Sequence, residues 1–257
     1  NTNSKKPIVV FSHGFKGFKD WGWVPHIHDY LVTDTQALIT FNYSHNGVQS
    51  TDFDALDMFA NNTVGQELRD MESLALWIAG DGKENFGLNP EKITWIGHSR
   101  GGANVIVFSK LFPEFVNKLI TWSAIDSYQS LFSNLDKNEW KEQGCLSIEN
   151  KRTHQSMPLN YLIWQDLLEN LSKYDIQSSA HQLNKPWLIV HGISDVVVPF
   201  NAAENLYNAC GHSIIIPMEN ANHTFGCTHP MNGLQDATPE FWTLLDNTLE
   251  FTNDEEI

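Results

Sequence analysis

Cysteine is scarce in this chain of 257 residues: Cys145, Cys210 and Cys227 are the only three. An odd number without C-x-x-C spacing excludes a disulfide framework and a zinc knuckle, and leaves one pairing, Cys210 with Cys227, open. Basic residues are few as well. Against 31 Asp and Glu stand 16 Lys and Arg, a formal net charge of −15. Such a balance repels nucleic acid and anionic lipid surfaces, and no local run of Lys and Arg makes an exception. Also missing are any apolar run near the roughly 20 residues that a membrane-spanning helix takes, a charged-then-apolar leader, internal repeats and low-complexity tracts. The absent leader favours a cytoplasmic reading, and the acidic close "LEFTNDEEI" reads as a solvated tail.

Apolar and aromatic residues are abundant: 41% of the chain is hydrophobic, with 9 Trp and 15 Phe. That supports a sizeable core and a single domain over residues 1–257. Runs rich in β-branched and aromatic residues recur at 7–12 ("PIVVFS"), 37–43 ("ALITFNY"), 92–97 ("KITWIG"), 118–124 ("KLITWSA"), 187–192 ("WLIVHG") and 213–218 ("SIIIPM"). Helical stretches separate them. Val64, Leu68, Met71, Ala75 and Ile78 recur at helical spacing, "RGGANVIVFSKLF" opens a helix, and Thr238 with Pro239 starts the last one. Strands alternating with helices predict an α/β fold with a mostly parallel central sheet flanked by helices. Residues 125 to about 185 interrupt the alternation, and "PLNYLIWQDLLENLSKYDI" predicts a helical insertion capping the sheet.

The segment "TWIGHSRGGAN" places Ser99 between Gly97 and Gly101, after a strand and before a helix. A serine on so sharp a turn has the setting of an exposed nucleophile, with a helix N-terminus behind it that favours developing negative charge. A serine hydroxyl is a weak nucleophile at neutral pH, so a base and an orienting carboxylate are required. "VHGISDVVVP" supplies Asp195 after one strand, and "ENANHTFG" supplies His223 after the last, in the order Ser, Asp, His. The rivals are Asp126 for the acid, and His212 or His229 for the base. "FSHGFKGF" follows the first strand, so the N–H groups of Phe15 and Arg100 are candidate donors to an oxyanion. His13 reads as a brace for that loop, and "HIH" at 26–28 as a loop or helix feature with no metal bound. The Arg100 side chain reads as a surface ion pair, or as a partner for a substrate carboxylate. N-x-[ST] strings occur at Asn42, Asn61, Asn170 and Asn222; the last adjoins His223, which argues against a glycan there.

Taken in order, "SHGF", "GHSRGG", "HGISDVVVP" and "NANHTF" resemble the α/β-hydrolase superfamily, particularly its dienelactone-hydrolase-like and bacterial cinnamoyl or feruloyl esterase-like branches. The resemblance spans residues 7–251. It implies the α/β-hydrolase fold with a cap, Ser99 as nucleophile, Asp195 as acid, His223 as base, and Phe15 and Arg100 as backbone oxyanion donors. It further implies a serine hydrolase that cleaves carboxylic esters through an acyl-enzyme, acting on a small-molecule ester without a cofactor. Dienelactone hydrolases proper carry Cys in place of Ser99, so their lactone chemistry is not implied. Family members usually begin with an antiparallel hairpin, whereas six residues precede residue 7 here. Trp21, Trp23, Trp122 and Trp164 are candidates for an aromatic acyl pocket. An acyltransferase or serine peptidase using the same three residues, and an inactive binding module on the same fold, are the alternatives.

Overall fold

A computed structural model describes residues 5–254; residues 1–4 and the last three of the acidic close lie outside the described residues. Six strands form the central sheet: β1 (Lys6–Ser12), β2 (Ala37–Thr40), β3 (Leu88–His98), β4 (Lys118–Trp122), β7 (Trp187–Gly192) and β8 (Ile214–Met218). Every neighbouring pair is parallel, in the order β2-β1-β3-β4-β7-β8. Side chains alternate across such a sheet, and both faces are apolar here. Ile8 and Val10 of β1, Trp95 of β3, Leu119 of β4 and Ile189 of β7 enter one core. Val9 and Phe11, Ile96, Ile120 and Trp122, and Val190 enter the other.

Helices α1 (Val64–Trp77), α2 (Arg100–Leu111), α5 (Ile176–Gln182) and α6 (Asn201–Cys210) contribute to the first core. Helix α7 (Pro239–Asn253) closes the second with Phe241, Leu244, Leu245 and Phe251. Thr63 caps α1 by accepting from the Gln66 N–H, and Thr238 caps α7 by accepting from the Phe241 N–H, with Pro239 in the first turn where its missing N–H costs nothing. The strand order reverses at β1 and β3, since β2 lies on one side of β1 and β4 on the far side of β3. In open parallel sheets ligands bind at the carboxyl ends of the strands flanking such a reversal. Those ends are Ser12 and His98.

The segment between β4 and β7 departs from the helical expectation. Helices α3 (Lys137–Gln143) and α4 (Leu162–Glu169) enclose an antiparallel hairpin of β5 (Cys145–Asn150) and β6 (Gln155–Asn160). Its alternation is masked in the sequence by the polar stretch 149–156, which supplies the turn. Strand β3 begins at Leu88, earlier than residue 92, because Leu88 pairs with Lys6 ahead of an irregularity in the register. Strand β2 ends at Thr40 rather than 43. The three cysteines are free, and Cys210 and Cys227 lie in different cores on opposite faces of the sheet, so they do not bridge.

Candidate active site

Ser99 sits at the apex of a turn between β3 and α2, with φ 55° and ψ −121°, a conformation that a residue with a Cβ adopts only under strain. Its neighbours enforce it. The Ser99 N–H donates to the Trp122 carbonyl at 2.9 Å, and its own carbonyl accepts from the Gly102 N–H at 3.0 Å. A Cβ on Gly97 would lie 2.3 Å from the Gly101 carbonyl oxygen, and one on Gly101 would lie 2.3 Å from the Ser12 carbonyl oxygen. Only glycine fits on either side, which is why the two flank the serine.

His223 and Asp195 reach the same end of the sheet from two loops. The His223 Nδ1–H donates to Asp195 Oδ2 at 2.8 Å. Asp195 is buried, and its Oδ1 accepts from the N–H groups of Val197 and Val198 at 2.8 and 2.9 Å. Burial alone would raise the Asp195 carboxyl; His191, His223 and the Val198 N–H outweigh it and hold the group well below the ordinary carboxylate range. With Nδ1 protonated toward Asp195, the His223 Nε2 is left as an acceptor. Ser99 and His223 line one cavity, and among the described residues no hydrogen bond joins Ser99 Oγ to His223. In free enzymes such bonds often tighten only when substrate arrives.

Three residues that the sequence reading did not assign to the site organise this corner. His98 donates from Nε2 to the His223 carbonyl at 2.8 Å, and the two rings lie 4.8 Å apart. Burial, then the neighbouring His223, pushes the His98 imidazole down to about 3, so it is a neutral donor at physiological pH. His191, buried behind Asp195, donates to the Val198 carbonyl at 2.8 Å with its Nε2 3.5 Å from Asp195 Oδ2. Asn222 Oδ1 accepts from the Thr224 and Gly226 N–H groups at 3.0 and 2.8 Å, a local turn that shapes the loop carrying His223. The Asn-x-Thr string was its only sequence signal.

The rivals lie elsewhere. Asp126 accepts from Asn205 at an exposed position, and His212 lies beside Cys210. His229 accepts the Gly22 N–H at 2.6 Å and stacks on Trp21, bracing the segment that follows the candidate oxyanion loop. His13 braces the same loop from within: its Nδ1–H donates to the Gly14 carbonyl at 3.0 Å, and burial lowers it to about 4. His26 hydrogen-bonds the Met231 carbonyl. Among the described residues no cluster of three or more His, Cys, Asp or Glu side chains could hold a metal ion.

Phe15 lies on the loop after β1, and Arg100 opens α2, where its N–H is one of the orphan donors of a helix start. The Arg100 side chain corrects the expectation set by its type. It is neither on the surface nor open to substrate: it is buried, donates from Nε to Glu67 Oε2 at 2.9 Å, and lies over the Phe15 ring at 5.3 Å.

The cavity measures about 140 Å³ and is walled by Phe11, Phe15, Phe18, Trp21 and Trp23. Trp122 and Trp164 are not among its lining residues. Trp122 lies one layer behind the wall, where its indole N–H donates to Thr248 and its ring backs Phe11 and Trp23. Trp164 packs against Trp140 and Phe132, one ring beyond Phe15.

No family model matches the sequence, and no curated protein does. Solved structures do. A putative hydrolase from Agrobacterium vitis superposes with a TM-score of 0.72 at 15% identity, over 98% of this chain and 90% of that one. Est1E from Butyrivibrio proteoclasticus, solved with ferulic acid bound, gives 0.70 at 17% over 96% and 88%. Mouse alpha/beta hydrolase domain-containing protein 10 gives 0.69 at 18% over 96% and 90%. With the parallel sheet, its strand order and its flanking helices, these likenesses show that the chain has the α/β-hydrolase fold.

Proposed function

We propose that the protein is a carboxylesterase-type serine hydrolase, with Ser99 as nucleophile, His223 as general base and Asp195 as the orienting carboxylate. One observation carries this: a serine held at positive φ on a strand-to-helix turn opens into the cavity that His223 also lines, and His223 is hydrogen-bonded to a buried Asp195. The His223 Nε2 takes the Ser99 proton as Oγ attacks the ester carbonyl carbon. The oxyanion that forms faces the Phe15 and Arg100 N–H groups, each such donor supplying on the order of 3 kcal/mol of barrier reduction. Collapse breaks the carbonyl-to-alkoxy bond, and His223 returns its proton to the departing alcohol. Water, deprotonated by His223, then attacks the acyl-enzyme carbonyl; the acyl–Oγ bond breaks as His223 returns that proton to Ser99 Oγ, which frees the acid and restores the serine.

The cavity is small beside the roughly 300–1,000 Å³ of a drug-sized site, which favours a compact acyl group, short-chain or carrying a single ring. Its aromatic walls, and the ferulic acid in the Butyrivibrio protein of the same fold, support the ring-bearing class. Hydrolysis of p-nitrophenyl esters of increasing chain length and of methyl hydroxycinnamates, by the wild type and Ser99→Ala, tests the proposal. Turnover that is lost in the variant and after fluorophosphonate treatment supports it. No turnover together with no labelling of the wild type removes it.

A further inference from the structure

The loop that carries Phe15 also carries a cation that no acid in the described protein pairs. Lys16 follows Phe15 directly, with φ 59°, and lines the same cavity as Ser99. It is half-buried. Burial lowers its ammonium from the ordinary lysine value, and the second cation nearby, Lys151, lowers it further. Other cations around the cavity are neutralised: Arg100 by Glu67 at 2.9 Å, Arg152 by Asp52 at 2.7 Å and Lys19 by Asp20 at 2.6 Å. Lys16 and Lys151 form no ion pair among the described residues, although the chain holds 31 carboxylates against 16 cations. A charge drawn partly out of water is costly unless something pairs it. Lys16 lines the cavity that Ser99 also lines, so a molecule bound there meets this charge.

We propose that the substrate is an ester bearing a carboxylate, on its acyl or its alcohol part, and that Lys16 pairs with that carboxylate while Lys151 reinforces the attraction. This rests on the ester-hydrolase reading and narrows it. A single half-buried ammonium balances a single carboxylate. The charge-assisted contact forms beside the reacting carbonyl, so it positions the ester as well as binding it. The net charge of −15 repels anions at long range, so a preference for an anionic ester has to come from these local lysines.

Two matched pairs of esters test the proposal and separate the two places for the carboxylate. On the acyl side, 4-nitrophenyl hydrogen glutarate is compared with 4-nitrophenyl methyl glutarate; on the alcohol side, 4-acetoxybenzoate with methyl 4-acetoxybenzoate. The expected result is a kcat/KM about tenfold higher for the anionic member of one pair, the equivalent of one charge-assisted hydrogen bond. That ratio should collapse to within about twofold in Lys16→Met, recover in Lys16→Arg and shrink partially in Lys151→Met. Ratios within about twofold for both pairs in the wild type, or a preference that survives Lys16→Met, overturn the proposal. If no ester turns over and fluorophosphonate does not label Ser99, the hydrolase reading itself has failed. Calorimetric binding of glutarate and 4-acetoxybenzoate to wild type and Lys16→Met then decides the anion site alone: binding lost in the variant sustains it, and no binding to the wild type ends it.

Discussion

Arg100 and Glu67 form an ion pair 2.9 Å apart beneath the strained serine, with side chains 2% and 4% exposed. The Glu67 carboxylate is fully engaged: Oε2 also accepts from Asn104 Nδ2 at 2.6 Å, and Oε1 accepts from Asn62 Nδ2 at 2.8 Å. Asn104 passes the network on to Tyr43 and Tyr128. Burial pushes the Glu67 carboxyl up, and Arg100 opposes that. Removing one partner of such a pair strands a buried charge, which costs about 3–5 kcal/mol, whereas replacing both by apolar groups can be nearly neutral. Glu67→Gln should therefore lose several kcal/mol in urea unfolding, and Glu67→Leu with Arg100→Met should regain most of it. Because Arg100 spans Glu67 and the Phe15 ring, Glu67→Gln should also lower kcat more than it changes KM. Equal stability of the single and double variants would show that the pair is not what holds this corner.

The backbone of Ser99 offers a test of stored strain. Its φ of 55° with ψ −121° is unfavourable for any residue with a Cβ, at roughly 1–3 kcal/mol, and unremarkable for glycine. Ser99→Ala keeps the Cβ and loses the hydroxyl; Ser99→Gly loses both. Both variants should be inactive, and the glycine variant should be the more stable by about 1 kcal/mol despite the entropy that glycine normally loses on folding. Reversed order in thermal unfolding would mean that the turn is not strained at this residue.

How much of this was legible in the sequence depends on whether the signal is local. The strands at Ile8, Trp95, Leu119 and Ile189 announce themselves because a strand buried on both faces reads as a continuous apolar run. Ser99, with its two glycines, is a local backbone demand written into five residues. The hairpin of Cys145–Asn150 and Gln155–Asn160 was not legible, since one of its faces is polar and its pairing stabilises it only in the folded chain. Glu67 as the partner of Arg100, and His191 as a second partner of Asp195 beside the expected His223, were hidden because they come together only in the folded chain. Glu67 lies 33 positions before Arg100, and His191 belongs to a strand whose apolar run accounts for it as packing. Trp122 was expected in the pocket and instead lies one layer behind it, on the same face as Phe11 and Trp23, whose rings stand between it and the cavity.

Buried neutral histidines give the fold a definite pH response. His13 is lowered to about 4 and His98 to about 3, in both cases chiefly by burial, from an ordinary value of 6.5. As the pH falls through 6.5 the unfolded chain takes up protons at both positions and the folded chain does not. The unfolded state then binds more protons, so stability falls with falling pH, by on the order of 1–3 kcal/mol per unit between about 6 and 4. Glu67 works against this slope, because its raised carboxyl keeps a proton in the folded state that the unfolded chain has released. Urea unfolding at pH 7, 6 and 5 should show the loss, and His98→Gln should flatten it. Stability that is level from pH 7 to 5 would mean that these imidazoles charge in place.

Trp21 and Trp164 were equal candidates for the acyl pocket, and their surroundings separate them. Trp21 lines the cavity, stacks on His229 at 5.9 Å and meets Trp23 edge-on, so truncating it opens the wall directly before Ser99. Trp164 is partly buried against Trp140 and Phe132, with the Lys137 ammonium 4.9 Å over its ring. Truncating it leaves a defect in that packing rather than in the cavity wall. Trp21→Ala should thus shift the ranking of p-nitrophenyl esters toward bulkier acyl groups, with kcat/KM for the smallest ester falling by about tenfold as the wall that positions it is lost. Trp164→Ala should keep the wild-type ranking and lose stability, by roughly 2–4 kcal/mol since the site is only partly buried. If Trp164→Ala re-ranks the esters while Trp21→Ala does not, the acyl group lies toward the segment between β4 and β7, and the cavity before Ser99 holds the alcohol instead.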